Sequence, residues 1–125
     1  MKRVGLGLIG TGGWGAMHAR TYATVEYANL VAVADVDAAR AKSLADQYGA
    51  TAYDDYRKLL ADDRVDAVAI VTPDFAHEEI ALAAAAAGKH ILAEKPLAMT
   101  VEGCERIVAA ADRAGVKLMV DFHAR

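Results

Sequence analysis

The chain has 125 residues, 55% of them hydrophobic, with a formal net charge of −3 and a pI near 5.7. That length suits one domain with a genuine core, since a chain of this size buries roughly two thirds of its unfolded surface. The acidic balance leaves no basic stripe to release counterions, which argues against nucleic acid or an anionic membrane as partner.

Val4 to Ile9 reads as a buried strand. Lys2 and Arg3 precede it, but the apolar stretch is short and broken by glycines, so this is neither a signal peptide nor a membrane span. A helical pattern follows over Ala16 to Val25, then a strand from Leu30 to Ala34 ending at Asp35. Ala38 to Tyr48 reads as a helix closed by Gly49 as C-cap, Thr51 to Tyr53 as a short strand and Tyr56 to Ala61 as a short helix. Ala67 to Val71 is a buried strand, and Asp74 is placed to cap a helix running to Ala87 and closed by Gly88. The alanine run Ala83 to Ala87 suits a close-packed helix, because alanine combines the best helix propensity with a small side chain. His90 to Ala93 is a strand, Thr100 caps a helix from Val101 to Ala114 ended by Gly115, and Val116 to Val120 is the last strand. The alternation predicts an α/β fold, a doubly wound parallel sheet in a single three-layer domain spanning residues 1–125.

The loops carry the chemistry. Gly10-Thr11-Gly12-Gly13-Trp14-Gly15 is G-x-G-x-x-G behind a strand and ahead of a helix, and Asp35 follows twenty residues after Gly15. In such a unit Gly10 permits the tight turn, Gly12 lets the backbone approach a pyrophosphate, and Gly15 allows close helix packing. The helix N-terminus presents free N–H groups to phosphates, and Asp35 offers a carboxylate to the adenosine ribose hydroxyls. A carboxylate where a 2′-phosphate would sit favours NAD(H) over NADP(H); Val36 adds no compensating charge, and Arg40 one turn on softens the bias.

Two further loops fall at carboxyl ends of strands, where open parallel sheets bind ligands. In Val71-Thr72-Pro73-Asp74-Phe75-Ala76-His77, Pro73 fixes the turn and Thr72 offers a hydroxyl. In Ala93-Glu94-Lys95-Pro96-Leu97, an acid, a base and a proline meet at a strand end. Lysine there suits donation to a substrate oxygen, and glutamate suits acceptance from a ribose hydroxyl. Spacing alone leaves this reading and that of a solvated charge pair beside a turn proline both open. The Lys95–Pro96 bond is expected to be cis, since only proline makes that geometry accessible and the loop must turn two charged side chains toward one cleft.

The single cysteine, Cys104, cannot form an internal disulfide and fits a reducing, cytoplasmic setting. It lies in a helical pattern and reads as a packed side chain. Of the four histidines, His18, His77, His90 and His123, no two have metal-ligand spacing, so no metal site is expected. His18 reads as a packing and hydrogen-bonding residue, His90 as a strand-start surface residue, and His77 as the one placed at the site.

Together, Gly10 to Gly15, Thr72-Pro73 with His77, and above all Glu94-Lys95-Pro96 resemble the N-terminal domain of the glucose–fructose oxidoreductase, inositol dehydrogenase and MocA family. The resemblance covers essentially the whole chain and implies an NAD(P)-dependent oxidoreductase acting on a sugar, a cyclic polyol or a related alcohol. Carried over, it places Gly10, Thr11, Gly12, Gly13, Trp14 and Gly15 at the pyrophosphate, Asp35 and Val36 at the adenosine ribose and Arg40 near the adenine. Thr72, Pro73 and His77 would line the middle of the groove. Glu94 would bind the nicotinamide ribose, and Lys95, beside Pro96, would sit at the nicotinamide and substrate as the candidate catalytic group. Arg125 resembles an arginine that follows the last strand. The resemblance further implies that the family's C-terminal substrate domain, which supplies an aspartate and a histidine for substrate binding and the usual oligomer interface, is absent from these residues. A non-catalytic dinucleotide module that senses redox state is the alternative. A methyltransferase fold would share the glycine loop, but Glu94-Lys95-Pro96 has no place in it.

Overall fold

A computed structural model describes residues 3–122. Strand β1 (Val4–Ile9) is central, and its buried residues divide by the two-residue strand period. Leu8 joins Val33 and Ala69 in one apolar cluster with Ala19, Ala41, Leu44 and Ala45. Ile9 joins Val68 and Ile70 in the other, with Leu59, Ile80, Ala84 and Ile107. The sheet therefore carries a core on each face, both built on near-continuous apolar strands.

The chain continues through α1 (Gly13–Tyr22), β2 (Ala28–Ala34), α2 (Ala38–Tyr48), β3 (Thr51–Tyr53), α3 (Tyr56–Leu60) and β4 (Ala67–Ile70). A single 3₁₀ turn (Asp74–Ala76) leads into α4 (His77–Ala86), followed by β5 (His90–Glu94), α5 (Val101–Ala114) and β6 (Leu118–Asp121). All strand pairs are parallel, in the order β3-β2-β1-β4-β5-β6. Helices α1 and α2 supply one core; α3, α4 and α5 supply the other.

Helix α5 behaves as its sequence dictates: the Thr100 hydroxyl accepts from the Gly103 N–H at 2.9 Å, and Gly115 closes the helix at φ 70°. Alanines 81, 84 and 85 of α4 are buried, so the alanine-rich stretch is a packing face. Some expected boundaries shift, β2 for one beginning at Ala28 rather than Leu30. Helix α1 begins at Gly13, because the glycine loop itself forms the first turn, and stops at Tyr22, where the Thr24 hydroxyl bonds the Thr21 carbonyl at 2.7 Å. Asp74 does not cap α4: residues 74–76 tighten into the 3₁₀ turn behind Pro73, and α4 starts at His77 without a side-chain cap. Strand β6 starts at Leu118, two residues later than the apolar run suggests.

Candidate functional site

Strands β1 and β4 are neighbours, but β1 feeds α1 on one face while β4 feeds α4 on the other. The two departing loops open a crevice at the strands' carboxyl ends. Gly10 leaves β1 at φ 103°, and a Cβ there would strike the Val71 carbonyl. A Cβ on Gly15 would overlap the Gly10 carbonyl, so this glycine closes the loop on itself. Gly12 differs: it is the N-cap of α1, no side chain caps that end, and a Cβ there would meet nothing within 4 Å. The helix end at Gly12 and Gly13 thus opens onto empty space, the arrangement an anionic diphosphate fits.

Asp35, at the tip of β2, braces this loop. Its Oδ2 accepts from the Thr11 N–H and the Thr11 hydroxyl, both at 2.8 Å, and its Oδ1 accepts from the Asp37 N–H at 2.9 Å. The Arg40 guanidinium adds longer bonds of 3.1 and 3.3 Å from the solvent side. Burial pushes the carboxyl's pKa up, but the Asp37 and Thr11 N–H groups, the Thr11 hydroxyl and Arg40 outweigh it and hold the group below its ordinary range. Thr11 is itself buried, and its hydroxyl is turned to Asp35.

A groove of about 550 Å³ runs across the crevice. Gly10, Gly12, Gly13, Trp14 and Gly15 line one side of it, with Asp35, Val36 and Arg40 beyond them and Thr72 and Pro73 opposite. Tyr56, Phe75, Ala76, Glu79 and Ile80 also line it, and sequence reasoning missed them. They come from α3, the 3₁₀ turn and α4, which only the fold brings together; the one local signal is Phe75, an apolar side chain 78% exposed beside Thr72-Pro73. An adjoining cavity of about 270 Å³ shares Trp14, Val71 and Thr72 and is closed by Asp74, Glu94 and Lys95.

His77 and Pro96 do not line either cavity. The His77 ring is 1% exposed, with Nδ1 2.7 Å from the Pro96 carbonyl and Nε2 2.9 Å from the Thr72 carbonyl. Its place is behind the groove, tying the loop after β4 to the loop after β5, because its position at the start of α4 turns it inward between them. The Lys95–Pro96 peptide bond is cis, as expected. Lys95 is exposed at the second cavity.

Glu94, at the end of β5, is buried. Its Oε1 accepts from the Trp14 indole N–H at 2.7 Å and from His18 Nε2 at 2.8 Å. His18 Nδ1 meets the Tyr22 hydroxyl at 2.6 Å. Burial raises the Glu94 pKa, but the bonds from His18 and Trp14 outweigh it and keep the carboxyl below its ordinary range. Burial, then the Asp121 and Glu94 carboxylates, push the Tyr22 phenol up. Ligand-type atoms of His18, Glu94 and Asp121 lie within 4.8 Å of one another, a grouping that linear spacing does not reveal. Within it, His18 Nε2 and Glu94 Oε1 are joined at 2.8 Å, and Asp121 Oδ2 lies 3.9 Å from the same nitrogen. Arg125 and His123 lie outside the described residues.

Residues 4–122 match the model of an oxidoreductase family, described as its NAD-binding Rossmann fold. An inositol 2-dehydrogenase from Rubrobacter xylanophilus is 40% identical over 119 residues, which are 94% of this chain and 34% of that protein. GenD2 from gentamicin A biosynthesis, solved in complex with NAD, superposes with a TM-score of 0.93 at 34% identity, covering 96% of this chain and 34% of that one. KijD10, a 3-ketoreductase from Actinomadura kijaniata solved with TDP-benzene and NADP, superposes with a TM-score of 0.93 at 31% identity, over 97% of this chain and 39% of that one. The chain thus spans about a third of the length of the inositol dehydrogenases it matches. No helix among the described residues is long and apolar enough to cross a membrane. With its six-stranded parallel sheet, its glycine loop and a family match over nearly its whole length, the chain belongs to the glucose–fructose oxidoreductase, inositol dehydrogenase and MocA family of oxidoreductases, as its NAD-binding Rossmann domain.

Proposed function

We propose that these residues hold the nicotinamide dinucleotide of an enzyme that oxidises an alcohol on a sugar, an inositol or a related polyol. The observation that carries the reading is the uncapped, unobstructed N-terminus of α1 at the switch point, flanked by Asp35 on one side and by Glu94 and Lys95 on the other. The α1 N–H groups take the pyrophosphate. Asp35 takes the adenosine ribose: its bonds to Thr11 and Asp37 stay, and the ribose hydroxyls displace the longer Arg40 bonds on the exposed side. Arg40, so released, would cover the adenine, to which Val36, Tyr56 and Phe75 of the groove lining would offer a surface. Glu94 would hold the nicotinamide ribose, and Lys95 would serve the reacting end of the cofactor.

The bound cofactor supplies a hydride acceptor; the alcohol loses that hydride from carbon and a proton from oxygen to become a carbonyl. Lys95 is the group of this chain placed to hold or move that proton, an effect typically worth ~10²–10⁴-fold. Positioning the alcohol at near-attack distance accounts for roughly 7–11 kcal/mol of such a barrier. We assign most of that positioning to a C-terminal substrate domain that pairs with this one, which also carries any homo-oligomer contact. A screen of NAD reduction with inositols and sugars tests this. The 125-residue chain should bind NADH yet show turnover orders of magnitude below that of a form extended by such a domain. Equal turnover by both would refute the division of labour.

A further inference from the structure

Trp14, His18 and Tyr22 recur every four residues along α1 and so share one face of that helix. That face is turned to the end of β5, where the Trp14 and His18 ring N–H groups converge on the same oxygen of Glu94, at 2.7 and 2.8 Å. The Tyr22 hydroxyl fixes the far nitrogen of His18 at 2.6 Å, and the two rings meet edge to face. His18 is 8% exposed and lies in neither cavity, whereas Trp14 lines both and Glu94 lines the second. A ligand in the groove therefore meets Trp14 and Glu94 but not the histidine that orients them.

We infer that His18 is a positioning residue for the nicotinamide end of the site: it holds the buried Glu94 carboxylate, and through it the Trp14 indole, in the arrangement that a dinucleotide binds. The inference rests on the proposed cofactor reading. A flexible buried carboxylate would have to be oriented during binding, and that ordering opposes affinity. The effect falls on the nicotinamide half, because the pyrophosphate and adenosine groups would contact the backbone N–H groups of α1's first turn, Asp35 and the loop after β4 rather than the Glu94 carboxylate.

Two isosteric variants separate this role from a merely structural one. In His18→Gln the side-chain amide N–H sits near the position of Nε2 and still reaches Glu94. In His18→Asn it sits near Nδ1, retaining the Tyr22 contact and losing Glu94. Calorimetric titration with NADH and with ADP, which lacks the nicotinamide half, is the readout, with denaturant unfolding as the control for stability. Trp14 is the only tryptophan in the chain, so its single indole N–H resonance reports directly on the bond to Glu94. The expected result is a roughly tenfold weaker NADH complex for H18N, about the equivalent of one hydrogen bond to a charged group. ADP affinity should stay within about twofold, the indole resonance should shift, and H18Q should recover NADH binding to within about threefold. Equal NADH affinity in H18N and the unsubstituted chain overturns the inference, as does parallel loss of NADH and ADP, or an H18Q protein as weak as H18N. Should H18N not fold, H18Q alone decides: a near-normal NADH affinity and indole resonance support the inference, and a tenfold loss overturns it. Failure of the unsubstituted chain to bind either nucleotide overturns the proposed function, and this inference with it.

Discussion

Replacing Asp35 by alanine tests whether this residue is an ordinary strand-end acid or the brace of the glycine loop. Its side chain is 6% exposed and accepts from four donor groups. Removing it returns the Asp37 N–H and Arg40 to solvent, where water replaces the lost acceptor. The Thr11 N–H and hydroxyl, on a residue 4% exposed, are left without one. An unsatisfied buried donor costs about 1–3 kcal/mol. With partial access of water to the vacated space, D35A should therefore lose about 2–4 kcal/mol, or roughly 8–16 °C in Tm for a domain of this size. Asp35→Asn keeps one carbonyl oxygen for Thr11 and should lose about half as much. Urea unfolding followed by circular dichroism gives the free energies. A D35A protein within about 0.5 kcal/mol of the unsubstituted chain would place Asp35 among ordinary surface acids and refute the reasoning.

The loop glycines should divide by mechanism. Gly12→Ala should fold with an unchanged Tm but bind NADH at least about tenfold more weakly, since its Cβ projects into the space assigned to the phosphates. Gly15→Ala should lose stability outright, by about 1–3 kcal/mol or more, because its Cβ overlaps the Gly10 carbonyl and both partners are backbone; a thermal scan that ranks the two variants the other way would contradict the assignment. Stability should also fall in acid. Arg64 holds the Asp62 carboxyl well below its ordinary range against burial, and Asp35 and Glu94 are lowered as well. Their folded-state pKa values lie below the unfolded values near about 4, so their contribution is full above about pH 5 and is lost as pH falls through the folded values. Tm measured against pH should show this decline, and Asp62→Asn should flatten part of it; a variant with the same acid slope would remove Asp62 from the account.

The sequence made the scaffold and the phosphate loop legible for a simple reason: both are written locally. Periodicity, the Thr100 and Gly115 caps, and the spacing from Gly15 to Asp35 each follow from contacts within a few residues or from one crossover of the sheet. What was not legible is the direction in which the site residues point. Thr11 and His77 sit inside recognisable motifs, yet both turn inward, one to Asp35 and the other between the carbonyls of Thr72 and Pro96. Glu94 was identified, but its bonds to Trp14 and His18 span 80 and 76 residues. The Tyr56, Phe75 and Glu79 wall likewise joins three elements that only the packing of α3 and α4 beside the sheet brings together.

On the proposed reading, the groove beneath α1's N-terminus holds a nicotinamide dinucleotide, with Asp35 choosing its ribose. Calorimetric titration of the chain with NADH and, separately, NADPH tests it most directly. The account predicts saturable binding of one NADH per chain, and NADPH weaker by at least about tenfold, because the 2′-phosphate meets the Asp35 carboxylate with Arg40 as the single nearby compensating charge in the groove lining. No detectable NADH binding, or NADPH binding as tight as NADH or tighter, would contradict it.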